Sequence, residues 1–460
     1  SMPIATHDNG SFWFDSLESL PEPEKPSSLP RATDVAIIGA GFTGLWTAYY
    51  LKQRRPDLSI AIFEAVTVGY GASGRNGGWC MGFAMGIEDL LASPETRQVG
   101  IQVLRAMHET VDEVGRVCQA ENIDCHYQKG GTLTVATLPF RAKSMRDRVE
   151  RFHSMGFSED DYRWLPTSEA KRHINCASNH GASYTPHCAA IHPARLVKGL
   201  AERVRGLGVA IHELTPVTNF EPGRIHTEVG SVEASIVLRA TEGYTDSLSN
   251  QKRRVMPLYS MMVATEPLKR EVWEEIGLTQ RETFGDTRRV VIYGQRTLDN
   301  RLAFGGRGSY YFGSERKPRI SPEDPMLNIV EQNMRDFFPI LHDVEITHRW
   351  GGLMGVARHW RPSVLFDRET GLGSAGGYVG EGVAASNLAG RTLSDLVTGE
   401  KSDLTRLPWV GDQAERWERE PLRWAGAKAI QFIGDRADRK ERNSNTPSAF
   451  WGGLFDRLVG

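Results

Sequence analysis

The sequence predicts a mixed α/β fold, α+β over the full chain, in which a parallel-sheet domain is discontinuous and carries an inserted antiparallel sheet. Three observations predict it. A strand-like run, Asp34-Val-Ala-Ile-Ile38, meets the turn Gly39-x-Gly41-x-x-Gly44 and helix-compatible sequence, and the next apolar run, Ile60-Ala-Ile-Phe63, ends in Glu64. A second glycine-rich turn before a helix, Leu372 to Val383, follows more than 300 residues later. Between them, residues 253–312 hold β-rich runs separated by turns (Arg254 to Ala264, Val290 to Tyr293 and Arg301 to Gly305), the pattern of an antiparallel sheet.

The elements follow in chain order. Residues 1–29 are polar and proline-rich apart from Phe12-Trp-Phe14, and read as an N-terminal arm that packs its aromatics on the body. Strand, glycine turn, helix, strand and acid then form the Rossmann-like arrangement that holds a dinucleotide. Gly39 permits the tight turn, Gly41 lets the backbone approach a pyrophosphate, and Gly44 lets helix and strand pack closely. The helix N-terminus presents free N–H groups and a positive dipole end to phosphates. Glu64 can accept hydrogen bonds from a ribose 2′-OH, which argues against a 2′-phosphorylated cofactor. This motif alone leaves NAD and FAD open.

Leu45, Ala48 and Tyr49 fall on one helical face, as packing against a parallel sheet requires. A long helical pattern spans about 86 to 120, Gly130 to Ala136 reads as a strand, and residues 138–175 are charged and helical. From Ile191 to Arg205 an amphipathic stripe of Leu196, Val197, Leu200, Ala201 and Val204 leads into the strand Val209-Ala-Ile211. A turn-rich hairpin region, Ile225 to Glu233, precedes a buried strand, Ser235 to Ala240. The expected partition gives residues 30–90, 185–250 and 345–400 to a cofactor-binding domain. Residues 91–184 and 251–344 form a substrate domain, and 401–460 a C-terminal helical tail.

Composition narrows the function classes. The chain has 460 residues, 40% hydrophobic and 24% charged, enough for two or three domains with cores. Its net charge of -2 gives no electrostatic footprint for nucleic acid or an anionic membrane. No apolar run approaches the roughly 20 residues a membrane helix requires, and the N-terminus lacks a signal-peptide pattern. Five cysteines (Cys80, Cys118, Cys125, Cys176 and Cys188) without CxxC spacing fit reduced thiols rather than a disulfide framework or a zinc site. A cytoplasmic enzyme with no metal is the expectation.

Three further segments carry a family resemblance: Gly71-Ala-Ser-Gly-Arg-Asn-Gly-Gly-Trp79, the pair His192-Pro-Ala-Arg-Leu196 and Ala240-Thr-Glu-Gly-Tyr-Thr245, and Gly376-Gly-Tyr-Val-Gly-Glu-Gly-Val383. Over roughly residues 30 to 400 the chain resembles the FAD-dependent D-amino-acid oxidase superfamily, which includes glycine, sarcosine and γ-glutamylputrescine oxidases. The resemblance implies that Gly39, Ala40, Gly41, Phe42, Thr43, Gly44, Glu64 and Ala65 hold the ADP half of FAD. Ser73, Gly74, Arg75, Asn76, Gly77 and Gly78 then reach the pyrophosphate and pass beside the flavin, with Val217, Ala240, Thr241 and Gly243 nearby. Gly377, Tyr378, Val379, Gly380, Gly382 and Val383 lie along the isoalloxazine, where backbone N–H groups stabilise the anionic reduced flavin. No cysteine follows Cys188, and Arg75-Asn76 stands where dimethylglycine dehydrogenases carry a histidine, so non-covalent FAD is expected.

By the same resemblance the reaction takes a hydride equivalent from the carbon beside a neutral amine, giving an imine that water hydrolyses. Pocket candidates are Tyr259, Met261, Tyr293, Trp360 and Arg361 as substrate contacts, with Arg307, Tyr378 and His359 positioning the reacting group. Arg307 suits a carboxylate or phosphonate through its planar fork. Sarcosine oxidases carry an oxygen-activating lysine at the position matched here by Ala303, so the electron acceptor is O2 or another oxidant. The long tail and the GRNGG loop resemble the aminophosphonate oxidoreductase branch, which implies an anionic amine such as 2-aminoethylphosphonate or its N-methyl form. The competing substrates are γ-glutamylputrescine or another amine or amino acid. An NAD(P)H enzyme is disfavoured because no second GxGxxG occurs. A non-catalytic flavoprotein subunit would need a large apolar patch, for which Trp409, Trp417, Trp424 and Trp451 are the candidates.

Overall fold

The structure, a computed structural model, describes residues 10–20, 22–287, 292–307, 320–420, 422–445 and 448. Its first sheet runs in the order Ser363–Asp367, Leu372–Gly376, Gly230–Arg239, Ala32–Ile38, Ile60–Phe63 and Ala210–His212. Neighbours along this path are parallel except the first pair, and a hairpin, Val217–Glu221 and Arg224–Thr227, adds antiparallel to Gly230–Arg239. Val35 and Ile38 pair with Ile60 and Phe63 on one side and with Ile236 and Arg239 on the other. A strand paired on both edges and covered on both faces needs a continuous apolar run, which Val35-Ala-Ile-Ile38 supplies. The helix Phe42–Arg54 crosses over the sheet and is buried from Phe42 to Leu51. It packs against the helix Gly382–Thr398, where a Cβ on Gly390 would meet Trp46 Cβ at 2.8 Å. The chain's two ends of the cofactor domain therefore meet in one layer.

The second sheet has the order Ile346–Val356, Met256–Thr265, Leu302–Arg307, Ile292–Arg296, Thr283–Asp286, Thr132–Val135, Ala182–Thr185 and Arg163–Leu165. It is antiparallel apart from the pair Thr283–Asp286 and Thr132–Val135. Leu327, Val330, Met334 and Phe337 of the helix Pro325–Phe337 cover one face and share a core with Leu133, Phe284, Ile292 and Phe304. Of the second predicted run, Val290 to Tyr293, residues 290 and 291 lie outside the described residues.

Several elements differ from the sequence reading for local reasons. The strand Ile346–Val356, grouped by sequence with the cofactor domain, pairs along the second sheet with Met256–Thr265. The helix Arg97–Ala120, grouped with the substrate domain, puts Leu104, Met107, Val111 and Val114 into the core beneath Phe42–Arg54. The long helix expected from 86 to 120 is two helices, Ile87–Ala92 and Arg97–Ala120, because Ser93 is extended before Pro94. Within 138–175, helices Pro139–Ser154 and Thr167–His173 flank a strand, Arg163–Leu165, that alternation over three residues cannot announce.

The arm and the tail both close onto this body. Phe12, Trp13 and Phe14 are buried against Met262, Ala303 and Trp350 of the second sheet. In the tail, Trp409 and Trp417 are buried, and Trp417 Nε1 donates to the Val356 carbonyl at 2.7 Å. The helix Leu422–Ser444 is tied back by Glu441 to Arg141. These tryptophans therefore pack the tail rather than form an exposed patch; Trp451 lies outside the described residues. Among the described residues no helix is long and apolar enough to cross a membrane.

Candidate active site

The glycine turn is built as its spacing requires. Gly39 has φ +111°, and a Cβ there would lie 2.2 Å from the Ala240 carbonyl oxygen, so only glycine fits. A Cβ on Gly44 would meet Gly39 O at 2.1 Å and Ile37 Cγ2 at 3.2 Å, which lets the helix sit directly on the strand end. Gly41 is the N-cap and brings no capping side chain. The first intrahelical bond is Leu45 N–H to Gly41 O at 3.1 Å, so the amides of the first turn have no helical carbonyl to bond. Ser73 Oγ accepts from Phe42 N–H at 2.9 Å and links this turn to the second loop.

A cleft opens above the turn. Gly39, Gly41, Phe42, Thr43, Glu64, Ala65, Ser73, Val217, Ala240, Thr241 and Gly243, all named from sequence, line it. Glu64 stands at one end with Oε1 accepting from Ala40 N–H at 3.0 Å and Oε2 from Val66 N–H at 2.9 Å. Burial pushes its carboxyl up, while those two N–H groups pull it down. A carboxylate has about four acceptor positions, so two remain for a ribose. An acid at one end, first-turn amides in the middle and a glycine floor fit the ADP half of a dinucleotide.

The loop after Gly71 is locked from three sides. Asn76 Nδ2 donates to the carbonyls of Ala72 and Ser73 at 3.0 Å, and its Oδ1 accepts from Gly78 N–H at 2.8 Å. From the arm, Ser11 Oγ donates to Gly74 O at 3.0 Å and Trp13 Nε1 to Asn76 O at 2.7 Å. From the second sheet, fully buried Gln295 donates Nε2 to Gly77 O at 2.8 Å and Gly78 O at 3.1 Å. Sequence reasoning missed Gln295, since nothing local marks one glutamine in a strand. Arg75 is 3% exposed. Its Nε donates to Tyr70 O at 2.7 Å and its Nη1 to Gly351 O at 3.3 Å, while its Nη2 is buried without a partner among the described residues.

The last loop is held by two residues. Tyr378 OH lies 2.7 Å from Thr43 Oγ1, so the flavin-loop candidate bonds directly to the first helix of the glycine turn. Burial raises its phenol further, with the Glu242 charge adding to this. Glu242, which sequence reasoning did not single out, accepts from Gly377 N–H at 2.9 Å through Oε1. Burial pushes its carboxyl up to about 7, against the backbone N–H groups of Gly377, Gly355 and Tyr378 and the Arg239 charge. Both the cleft and the loop therefore share this one acid.

The substrate candidates do not all converge. Arg307 ends its strand at the register position opposite Ser260, which is itself opposite Gly352. A Cβ on Gly352 would meet Arg75 Cβ at 3.2 Å, so this cross-strand row abuts the Arg75 loop. The Arg307 side chain lies outside the described residues. Tyr293 hydrogen-bonds Ser260 Oγ and packs against Gly77 and edge-on to Trp79. Tyr259 and Met261, by contrast, are buried in the core of the second sheet. Trp360 packs edge-on to Trp417 of the tail. Arg361 is exposed and pairs with Asp412 at 2.7 Å, and His359 Nε2 lies 3.2 Å from the Asp412 carbonyl. The expected concentration of bases around one pocket thus reduces to Arg75 and the Arg307 position, because Asp412 of the tail takes the other two. Ala303 is fully buried beside Phe12, Phe14 and Trp350.

Comparison with known proteins agrees with this geometry. The chain is 30% identical over 414 residues to a probable oxidoreductase OrdL of Rhizobium meliloti (strain 1021), covering 86% of this chain and 90% of the relative. It is 28% identical over 399 residues to the gamma-glutamylputrescine oxidoreductase of Escherichia coli (strain K12), covering 83% and 89%. Glycine oxidase from Geobacillus kaustophilus shares the fold with a TM-score of 0.65 at 22% identity, over 83% of this chain and 99% of that one. The family model described as FAD dependent oxidoreductase (DAO) matches residues 34–396, from the first strand through the last flavin-loop helix, and the chain belongs to that family.

Proposed function

We propose that this FAD-dependent oxidoreductase of amines and amino acids acts on a small anionic amine, an aminophosphonate such as 2-aminoethylphosphonate or its N-methyl form. Bound FAD supplies the hydride acceptor. The carbon beside the neutral amine would lose a hydride to the flavin, leaving an iminium that water hydrolyses to a carbonyl compound and an ammonium or alkylammonium ion. The two electrons pass on to O2 or another acceptor.

One observation carries the substrate class. The cross-strand row Gly352, Ser260, Arg307 begins against the loop of Arg75, which supports an anion site near these strands. Arg75 is buried with one N–H edge unsatisfied, a state that an incoming oxyanion relieves. A phosphonate carries about -1.5 to -2 charges by analogy with a phosphate monoester, and two cations match it. Ser260 and Tyr293 supply hydroxyls on the same side.

The cofactor is held non-covalently in this reading, by the two glycine loops and Glu64; all five cysteines are free buried thiols. Denaturation followed by centrifugal filtration should release all the yellow flavin. The likeness to a gamma-glutamylputrescine oxidoreductase supports a second reading, in which a longer polyamine-derived substrate is oxidised. Anaerobic mixing decides between them. Bleaching of the flavin by 2-aminoethylphosphonate or its N-methyl form supports the first, and bleaching by γ-glutamylputrescine alone supports the second. No bleaching by either aminophosphonate rejects the aminophosphonate assignment.

A further inference from the structure

We propose that a second cavity, behind the loop Gly376–Tyr378, binds a small oxyanion between Arg239 and Arg254. This cavity, about 450 Å³, lies between the ends of the strands Gly230–Arg239 and Leu372–Gly376 and the tail segment around Gln413 and Ala414. It is separate from the cleft of the glycine turn, and Thr241 and Glu242 line both.

Arg239 is the reason to look for a ligand. It sits at the C-terminal end of a strand, in register with Ile38 on one side and Ser374 on the other. Its Nη1 is buried and has no hydrogen-bond partner among the described residues. Desolvation lowers the guanidinium to about 10, and Glu242 and Asp246 oppose this only through space. A guanidinium N–H edge buried without a bonded partner is destabilising, and an oxyanion relieves that cost. Asp246 is already engaged, accepting from Arg253 N–H at 3.1 Å and facing Arg423 at 3.7 Å. Glu242 is turned toward Gly377 N–H.

Arg254 is the second cation of the cavity. Among the described residues its side chain makes one long hydrogen bond, Nη1 to Ala414 O at 3.4 Å. Arg239 and Arg254 repel each other, and Arg416 also acts on Arg254. A carboxylate or phosphate oxyanion between them replaces that repulsion with charge-assisted hydrogen bonds. Gln251 and Ser374 add neutral polar groups to the walls.

Occupancy is linked to the loop through Glu242. The charge acting on this acid is Arg239 from the strand, and the acid in turn acts on Tyr378 of the last loop; Asp246 and Arg254 act on Arg239. Ionised Glu242 competes with the bound anion for Arg239. Binding of an anion that does not itself titrate therefore weakens as pH rises.

The test is calorimetric titration of the FAD-loaded protein with sulfate, inorganic phosphate and acetate. Saturable binding of sulfate is expected, weakened about tenfold or more in Arg254→Gln and in Arg239→Gln. Phosphate binding with acetate silent identifies a phosphoryl ligand, and the reverse a carboxylate. Between about pH 6 and about pH 8 sulfate affinity should fall in wild type and stay level in Glu242→Gln. No saturable binding, or binding unchanged in Arg254→Gln, overturns the proposal; Arg254 is partly exposed, so that variant remains informative if Arg239→Gln misfolds. Substrate bleaching of the flavin is read separately, so failure of either idea leaves the other standing.

Discussion

Replacing Glu242 by Gln should stabilise the protein above neutral pH and leave it little changed in mild acid. The folded-state carboxyl titrates at about 7, against 4.5 for an ordinary glutamate. Below the lower value both states are protonated and burial costs nothing. As pH rises the unfolded chain ionises first, and stability is lost until the folded carboxyl ionises too. At about 1.4 kcal/mol per tenfold change, the full cost is about 3 kcal/mol, of which roughly 2–3 kcal/mol accrues between about pH 5 and about pH 8. Unfolding entropy of about 2.1 cal/mol/K per residue gives about 1 kcal/mol/K for a chain of this length. Glu242→Gln should therefore gain about 2–3 °C over wild type at pH 8 relative to its difference at pH 5. Thermal unfolding of the FAD-loaded protein, followed by far-UV circular dichroism, measures both differences. Equal differences at the two pH values would refute the reasoning, because the cost would not be one of ionisation.

Other perturbations follow from the same contacts. Trp13→Ala removes a 1% exposed side chain and its bond to Asn76, and should cost about 3–5 kcal/mol in stability while increasing FAD loss on dialysis. Tyr378→Phe breaks the bond to Thr43 and should weaken FAD binding by about 1 kcal/mol, roughly fivefold, read by flavin fluorescence titration. Gly39→Ala should yield colourless or insoluble protein, since both its φ and its contact with Ala240 exclude a methyl group; a yellow, stable variant would contradict the assigned turn. If Arg307 binds the remote anion, Arg307→Ala raises KM for 2-aminoethylphosphonate more than it lowers kcat, and an unchanged KM removes it from the pocket.

The glycine turn and its acid were legible because their signals are local. Gly39, Gly41, Gly44 and Glu64 occupy fixed offsets within one βαβ unit, and spacing alone predicts their geometry. The arm was legible for the same reason, as three adjacent aromatics in a polar segment. Glu242 and Gln295 were not, because each acts on a loop more than 100 residues away and has no distinguishing neighbours. His359 and Arg361 were misleading in the opposite sense. A cluster of bases near a pocket segment suggests an anion site, yet Asp412 binds both, and nothing in residues 359–361 reveals that partner. Tyr259 and Met261 show the limit of reading strands: alternation tells that two faces exist, and only the covering helix decides which is core.

The position of Ala32–Ile38 in the first sheet has a consequence for synthesis. Its neighbour Gly230–Arg239 is in turn flanked by Leu372–Gly376, and Thr43 waits for Tyr378. At about 5–20 residues per second, the ribosome needs on the order of tens of seconds after making the glycine turn before its last partner emerges. For that interval two of the most apolar segments of the chain have no complete sheet to enter. Growth temperature and chaperone supply should therefore limit the yield of soluble protein more than added FAD does, since the cofactor cannot be retained until the chain is nearly finished.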